Sequence, residues 1–200
     1  DIGPFLPAAV VAIEDRRFYQ HGGVDFQGIA RAAITYVSTQ RAAECASTIT
    51  QQVAKNFLLS SEQTFDRKIK EMLVALKIET AYSKERILEL YLNEIYLGLG
   101  NYGVAAASLN YFGKSVNELT LTEAAYLAAL PKEPNNYHPF RRTQAALDRR
   151  NYVIDRMVEN GYIKKEEGDA AKSQPLGVTL RAVSPNTISA GFFAEEVRRE

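Results

Sequence analysis

Along most of this chain apolar residues recur at three- and four-residue intervals and strict alternation is scarce, so the pattern predicts a mainly α fold. Ile29, Ala30, Ala33, Ile34 and Val37 form one such set, in a helix predicted from Phe26 to Val37. The segment STITQQVAKNFLL opens at Ser47, which is expected to cap it. A longer helix is predicted from about Phe65 to Tyr82, with Phe65, Ile69, Met72, Leu73 and Leu76 on one stripe. Ser83 stands ready to cap the next, whose Ile87, Leu88, Tyr91, Leu92 and Ile95 face inward until Gly98 and Gly100 stop it. Thr120 and Glu123 have capping-box spacing ahead of AAYLAAL, which Pro131 ends. The last strong helix runs from about Gln144 to Asn160. Residues 131–139, rich in proline and asparagine, read as a surface loop, and the tail beyond Ser173 reads as a linker or short strand. The expected organisation is one domain over residues 1–175, then a linker over 176–200.

Composition narrows the chemistry. With 200 residues, 46% of them hydrophobic, the chain can bury a core, and disorder is excluded as its main state. Lys plus Arg and Asp plus Glu both number 24, so no global field recruits nucleic acid or an anionic surface, and any anion site must be built locally. The single cysteine, Cys45, excludes an internal disulfide framework, and no Cys/His set has metal-ligand spacing. The longest apolar run, Pro7 to Ile13, falls well short of the roughly 20 residues of a spanning helix, and neither an anchor nor a signal peptide is recognisable.

Three polar groups call for explanation. In the helix opening at Ser47, Thr48, Gln51, Gln52 and Lys55 fall on one side at 100° per residue, and Ile49, Val53 and Phe57 fall on the other. Such an amide-rich stripe is either a solvated face or a ligand-facing surface suited to sugars and a phosphate. In the helix from Phe65, Arg67, Lys68 and Glu71 are neighbours, and the face continues into Val74, Ala75 and Ile78. The apolar part beyond Glu71 is expected to be buried, which puts the charges at the lip of a cavity or in a structural ion-pair ladder. Glu14 follows the apolar run AAVVAI, where desolvation would raise its pKa toward that of a base. His21 reads either as a general base or as a buried histidine satisfying backbone groups, and His138 reads as a loop residue.

Together these segments resemble the family 51 peptidoglycan glycosyltransferases, over nearly the whole chain and in order. EDRRFYQHGGVD at Glu14 to Asp25 is similar to the first family motif, ASTITQQVAKN at Ala46 to Asn56 to the second and RKIKE at Arg67 to Glu71 to the third. KERILELYLNEIYLG at Lys84 to Gly98 is similar to the fourth and RRNYVI at Arg149 to Ile154 to the fifth. The resemblance implies a lysozyme-like, two-lobed helical fold with a cleft between a head lobe and a smaller membrane-facing lobe. It implies that Glu14 is the catalytic base and Glu71 the second essential carboxylate. Asp15, Phe18, Thr48, Gln51, Gln52, Lys55, Asn56, Arg67 and Lys68 are then expected to bind substrate. One departure stands out: the family usually has Gly, then Gly or Ala, where this chain has Cys45 and Ala46, which would strain a positive φ by about a kilocalorie per mole.

The reaction so implied is displacement at the anomeric carbon of lipid II by the 4-hydroxyl of an incoming sugar, with inversion and no covalent nucleophile. No cofactor is required, and a divalent cation, Mg or Mn, is an option with no dedicated carboxylate cage. The implied partners are lipid II and the growing glycan strand, the membrane surface, a transpeptidase domain in a bifunctional parent and other cell wall synthesis proteins, with no nucleic acid. The implied location is the outward face of the bacterial cytoplasmic membrane, where the apolar face of the helix from Phe26 would touch the bilayer. A glycan-cleaving muramidase and a non-catalytic docking module are the rival readings.

Overall fold

The computed structural model describes residues 2–39, 47–58 and 64–179. Among these the elements are helices, with no strand beyond an isolated antiparallel bridge between Tyr96 and Tyr102, as the apolar spacing predicts. The α-helices are α1 (Phe5–Glu14), α2 (Phe26–Thr39), α3 (Ile49–Phe57), α4 (Phe65–Ala81), α5 (Lys84–Glu94), α6 (Val104–Phe112), α7 (Leu121–Ala129), α8 (Thr143–Glu159) and α9 (Lys165–Lys172). A 3₁₀ turn, Val116–Glu118, precedes α7. The chain divides into two compact units, one of Val10–Asn93 and one of the residues up to Ala9 and from Glu94 onward.

Within Val10–Asn93, α3 packs against α4. Both start where the sequence offers a hydroxyl: Thr48 accepts from the Gln51 N–H, and Thr64 from the Arg67 N–H. The cap of α3 is therefore Thr48, one residue beyond the expected Ser47. The inward side of α4 is Glu71, Ala75 and Ile78. Ala75 and Ile78 are thus buried as expected, but the other apolar stripe of this helix is not. Phe65 is 80% exposed, and Ile69, Leu73 and Leu76 are exposed as well, so the apolar part beyond Glu71 is not buried all round. Helix α2 has no buried residue, and Phe26, Ile34, Tyr36 and Val37 stand open to the surroundings.

The other unit has a more uniform interior. Every residue of α7 from Ala124 to Ala129 is buried, as befits a helix apolar all round. Its start is the expected capping box of Thr120 and Glu123. It packs on α8, which turns Ala146, Arg150, Val153, Ile154 and Met157 inward at helical spacing. The Tyr126 ring meets Tyr111 and Phe112 edge-on at 5.9 and 6.3 Å. Burial pushes the Tyr111 phenol up to about 12, and raises that of Tyr126 further. Arg150 is fully buried and donates to the carbonyls of Lys172 and Pro175 at 3.2 and 3.0 Å, closing the end of α9. Desolvation lowers its pKa.

Three helices have no counterpart in the sequence pattern. Helix α1 is apolar without a period, α6 is short and rich in alanine, and α9 is charged with only Gly168 and Ala171 buried. Residues 175–179 form neither helix nor strand, and the Thr179 N–H donates to the Tyr111 carbonyl at 3.1 Å. Most of the expected linker, and both Cys45 and Ala46, lie outside the described residues. No helix among the described residues is long and apolar enough to cross a membrane.

Candidate functional site

The candidate residues of the first three motifs gather inside the Val10–Asn93 unit, around the first turn of α3. Helix α1 ends at Glu14, which is partly buried and accepts a hydrogen bond from Gln52 Nε2 at 3.0 Å. Asp15 is buried, with an oxygen that accepts the Ile49 N–H at 3.0 Å. That N–H is the first of α3 and has no partner within its own helix, so a carboxylate there meets both an unsatisfied donor and the positive end of the helix dipole. Two adjacent acids thus grip one edge of α3 at Ile49 and Gln52, one turn apart.

Much of the stripe expected to face a ligand instead builds the start of this helix. Thr48 and Gln51 form a capping box: Thr48 Oγ1 accepts from the Gln51 N–H at 3.0 Å, and Gln51 Oε1 accepts from the Thr48 N–H at 2.9 Å. Thr48 Oγ1 also donates to the Gly23 carbonyl at 2.6 Å. Both side chains are buried. Residues that cap a helix and residues that face a ligand leave the same mark in a sequence, a run of small polar groups, which is why spacing alone merged them. Gln52 is partly exposed and Lys55 and Asn56 are exposed, so the open part of the stripe starts one turn further on. Phe57, expected opposite the stripe with Ile49 and Val53, is exposed too. Phe18 is fully buried under the Lys84 ammonium, which lies 4.6 Å from its ring centroid, and presents no surface to a substrate.

The third motif supplies a charged pair. Glu71 is buried at 3% exposure and accepts from Lys68 Nζ at 2.6 Å, and the same ammonium donates to Ser47 Oγ at 2.7 Å. The Lys68 side chain remains 43% exposed, so the carboxylate fixes a cation whose charge is still open to an anion. Arg67, partly buried, precedes it. Sequence reasoning paired Lys68 with Glu71 but missed Ser47, which it used as a cap.

A second ammonium is wholly structural. Lys84 donates to Glu79 at 2.6 Å and to the His21 carbonyl at 2.7 Å, and Thr50 donates to the same Glu79 oxygen at 2.7 Å. A Cβ on Gly23, whose φ is +100°, would lie 2.9 Å from the Ala75 carbonyl oxygen, so the loop carrying His21 closes onto α4 only with glycine there. For the optional divalent cation, no group of three or more His, Cys, Asp or Glu side chains among the described residues comes together as a ligand set. A cavity of about 240 Å³ on α8 and α9, lined by Tyr152, Asp155, Arg156, Lys165 and Lys172 among others, has its charges paired internally.

These motifs are matched by wider comparison. The family profile described as Transglycosylase covers residues 1–158. The chain is 49% identical over 198 residues to penicillin-binding protein 1A of Rickettsia felis, covering 98% of this chain and 25% of that protein. It is 55% identical over 170 residues to penicillin-binding protein 1A of Aquifex aeolicus, covering 85% of this chain and 23% of that one. It thus spans about a quarter of the length of these curated relatives. A 2.6 Å crystal structure of penicillin-binding protein 1A from Haemophilus influenzae aligns with 76% of this chain and 19% of its own, at 37% identity and a TM-score of 0.48. With a profile that runs unbroken through the three motifs clustered at α3 and on through the fourth and fifth, the chain belongs to the transglycosylase family.

Proposed function

We propose that this chain is a peptidoglycan glycosyltransferase that polymerises lipid II into β-1,4-linked glycan with inversion. The observation that carries the reading is that one unit holds both a partly buried, hydrogen-bonded Glu14 and a cation, Lys68, fixed by the buried Glu71. In this scheme the 4-hydroxyl of the incoming sugar attacks the anomeric carbon of the donor and its proton passes to Glu14. The bond from that carbon to the diphosphate breaks, and undecaprenyl diphosphate departs. A single displacement needs one base and stabilisation of the leaving charge, and no nucleophilic side chain. Lys68, Arg67 and Lys55 supply the cations, because a departing diphosphate gathers negative charge. Glu71 orients Lys68, while Gln52 and Asn56 offer amides to the sugars. Asp15, Thr48 and Gln51 act by fixing α3, and Phe18 as core.

Three cations in the same unit as the proposed base, Lys55, Arg67 and Lys68, favour this reading over a muramidase, whose hydrolysis gives no reason for them. The decisive experiment is polymerisation of labelled lipid II by the folded protein and by Glu14→Gln. Glycan from the first and none from the second supports the assignment, and turnover that survives the substitution sinks it.

We also infer contact with the outward face of the bacterial cytoplasmic membrane. Exposed Phe26, Ile34 and Val37 on α2, and Phe65 and Leu73 on α4, support it, since apolar groups left unburied at this density need an apolar partner. Liposome partitioning of a folded Ile34→Asp, Val37→Asp variant should fall, and unchanged partitioning would refute the contact. A parent that also carries a transpeptidase domain and works with other cell wall synthesis proteins follows from the same reading, supported by relatives that bear the name penicillin-binding protein 1A.

A further inference from the structure

Residues 95–113 hold no Lys, Arg, Asp or Glu, in a chain that is 24% charged. The first part of this stretch, 95–103, is a loop whose backbone is tied down from within. The Leu97 N–H donates to the Asn101 carbonyl at 2.8 Å, the Asn101 N–H to that of Gly98 at 2.9 Å, and the Gly103 N–H to that of Ile95 at 2.8 Å. Buried Asn101 donates through Nδ2 to the Gly98 carbonyl at 3.0 Å, and the Tyr111 hydroxyl donates to the Leu97 carbonyl at 2.7 Å. At the tip stands Leu99, exposed and with a φ of +51°, the one residue other than glycine with a positive φ among the described residues. An exposed leucine gains little packing in return for that strain, and such strain persists where a surface must keep one shape. On either side of the tip the loop displays a phenol ring, Tyr96 at 37% and Tyr102 at 67% exposure. The two are paired across an antiparallel bridge, with centroids 4.9 Å apart and planes tilted by 42°.

We propose that residues 95–103 form a glycan-binding site in which the exposed ring of Tyr102 is the platform for a sugar of a β-1,4-linked strand, an inference that rests on the reading of that strand as the product. A pyranose has a face of C–H groups that packs on an aromatic ring, and edge hydroxyls that a phenol can meet. Contact with Tyr96 holds the Tyr102 ring in place before a ligand arrives, so little side-chain freedom is lost on binding. Leu99 extends the apolar surface at the tip. The charge of the stretch selects among ligands. A diphosphate or an anionic headgroup needs a cation, and residues 95–113 supply none, whereas an uncharged aromatic surface complements an uncharged, hydroxyl-rich polymer. Rigidity points the same way. A fluid bilayer has no fixed geometry to match and gains nothing from a strained, braced loop, while a polymer of stiff rings presents one geometry again and again.

The test is isothermal titration of chitohexaose, a soluble β-1,4-linked oligomer of N-acetylglucosamine, into the full-length protein containing this chain. Wild type, Tyr102→Ala, Tyr102→Phe and Leu99→Gly are compared, each checked for folding by its melting curve. Kd should rise about ten-fold in Tyr102→Ala, the effect of losing one stacked ring, and stay within about three-fold of wild type in Tyr102→Phe. Glycine suits the left-handed backbone at position 99, so Leu99→Gly should melt near wild type while Kd rises about five-fold. A wild type that does not bind, or a folded Tyr102→Ala with Kd within about two-fold of wild type, overturns the proposal. If Tyr102→Ala does not fold, Leu99→Gly decides: the five-fold rise upholds the site, and a Kd within about two-fold of wild type refutes it. Liposome partitioning that falls in Tyr102→Ala while chitohexaose binding holds assigns the loop to the membrane and refutes it as well. Polymerisation of lipid II by the wild type separates the two readings. Binding through Tyr102 without polymerisation sinks the transferase and leaves the site, and polymerisation with binding indifferent to Tyr102 does the reverse.

Discussion

The interior around α3 and the interior between α7 and α8 are built on different principles. Around α3 the buried residues include Asp15, Thr48, Thr50, Gln51 and Glu71 beside Ile49 and Val53. Between α7 and α8 they are Ala124, Ala125, Tyr126, Leu127, Val153, Ile154 and Met157, with Arg150 the buried charge of α8. Apolar contacts are non-directional, so the α7–α8 interior tolerates small shifts at little cost. Buried polar groups are satisfied only at set distances and angles, so the α3 interior tolerates few. A polar interior is a poor way to gain stability and a good way to fix a base and a cation in place. The same contrast separates the charges of the α8–α9 cavity, which pair on a solvated surface, from Lys68, which is fixed from below by a buried acid.

If that division is real, activity and stability should come apart by region. The largest effect is expected at Glu14: Glu14→Gln should lower polymerisation about 10²- to 10⁴-fold, the range of a general base, with the melting temperature unmoved. Next comes Leu127→Ala in α7, fully buried, which should destabilise by about 2–5 kcal/mol in denaturant titration while kcat at low temperature is retained. A comparable loss of kcat in the folded Leu127 variant would dissolve the contrast. Thr48→Ala removes the cap of α3 and should cost about 1 kcal/mol, with a disproportionate fall in kcat, and Thr48→Ser should restore both.

The smallest effect concerns pH. Tyr111 has its phenol raised by burial from 10.0 to about 12. A group whose folded value lies above its unfolded one favours the folded state fully below the unfolded value, and that contribution fades as pH rises toward the folded one. Unfolding free energy should therefore be flat in this respect at neutral pH and decline between about 10 and 12, and Tyr111→Phe should flatten part of that decline.

Much of the fold could be read from spacing, because a helix that buries one face must repeat its apolar residues at that period. Helices α3, α4, α5 and α8 carry that repeat, α2 carries it without burying a face, and α7 is found instead by the capping box that fixes its start to the residue. Helix α1 escaped because a helix apolar all round has no period, and α9 because its charges mask the two small residues it buries. Facing was harder than existence. Helix α4 carries apolar residues on more than one side, and nothing local says that Ala75 and Ile78 turn inward while Leu73 and Leu76 stay out.

For the candidate site, spacing and residue type left the amide stripe and the charged cluster each with two readings, and it was the resemblance of the ordered motifs to the family that singled out Glu14, Gln52, Lys68 and Glu71. The sequence also determined the helical class and the absence of a charge field, both properties of composition and period. Tertiary structure alone decided that Phe18 is core and that Asp15 is gripped by His21 and α3, whereas the Thr48–Gln51 cap has the local spacing of a capping box. The partners of Asp15 lie 6 and 34 positions away, and such hydrogen bonds follow from which distant groups the fold brings to a side chain.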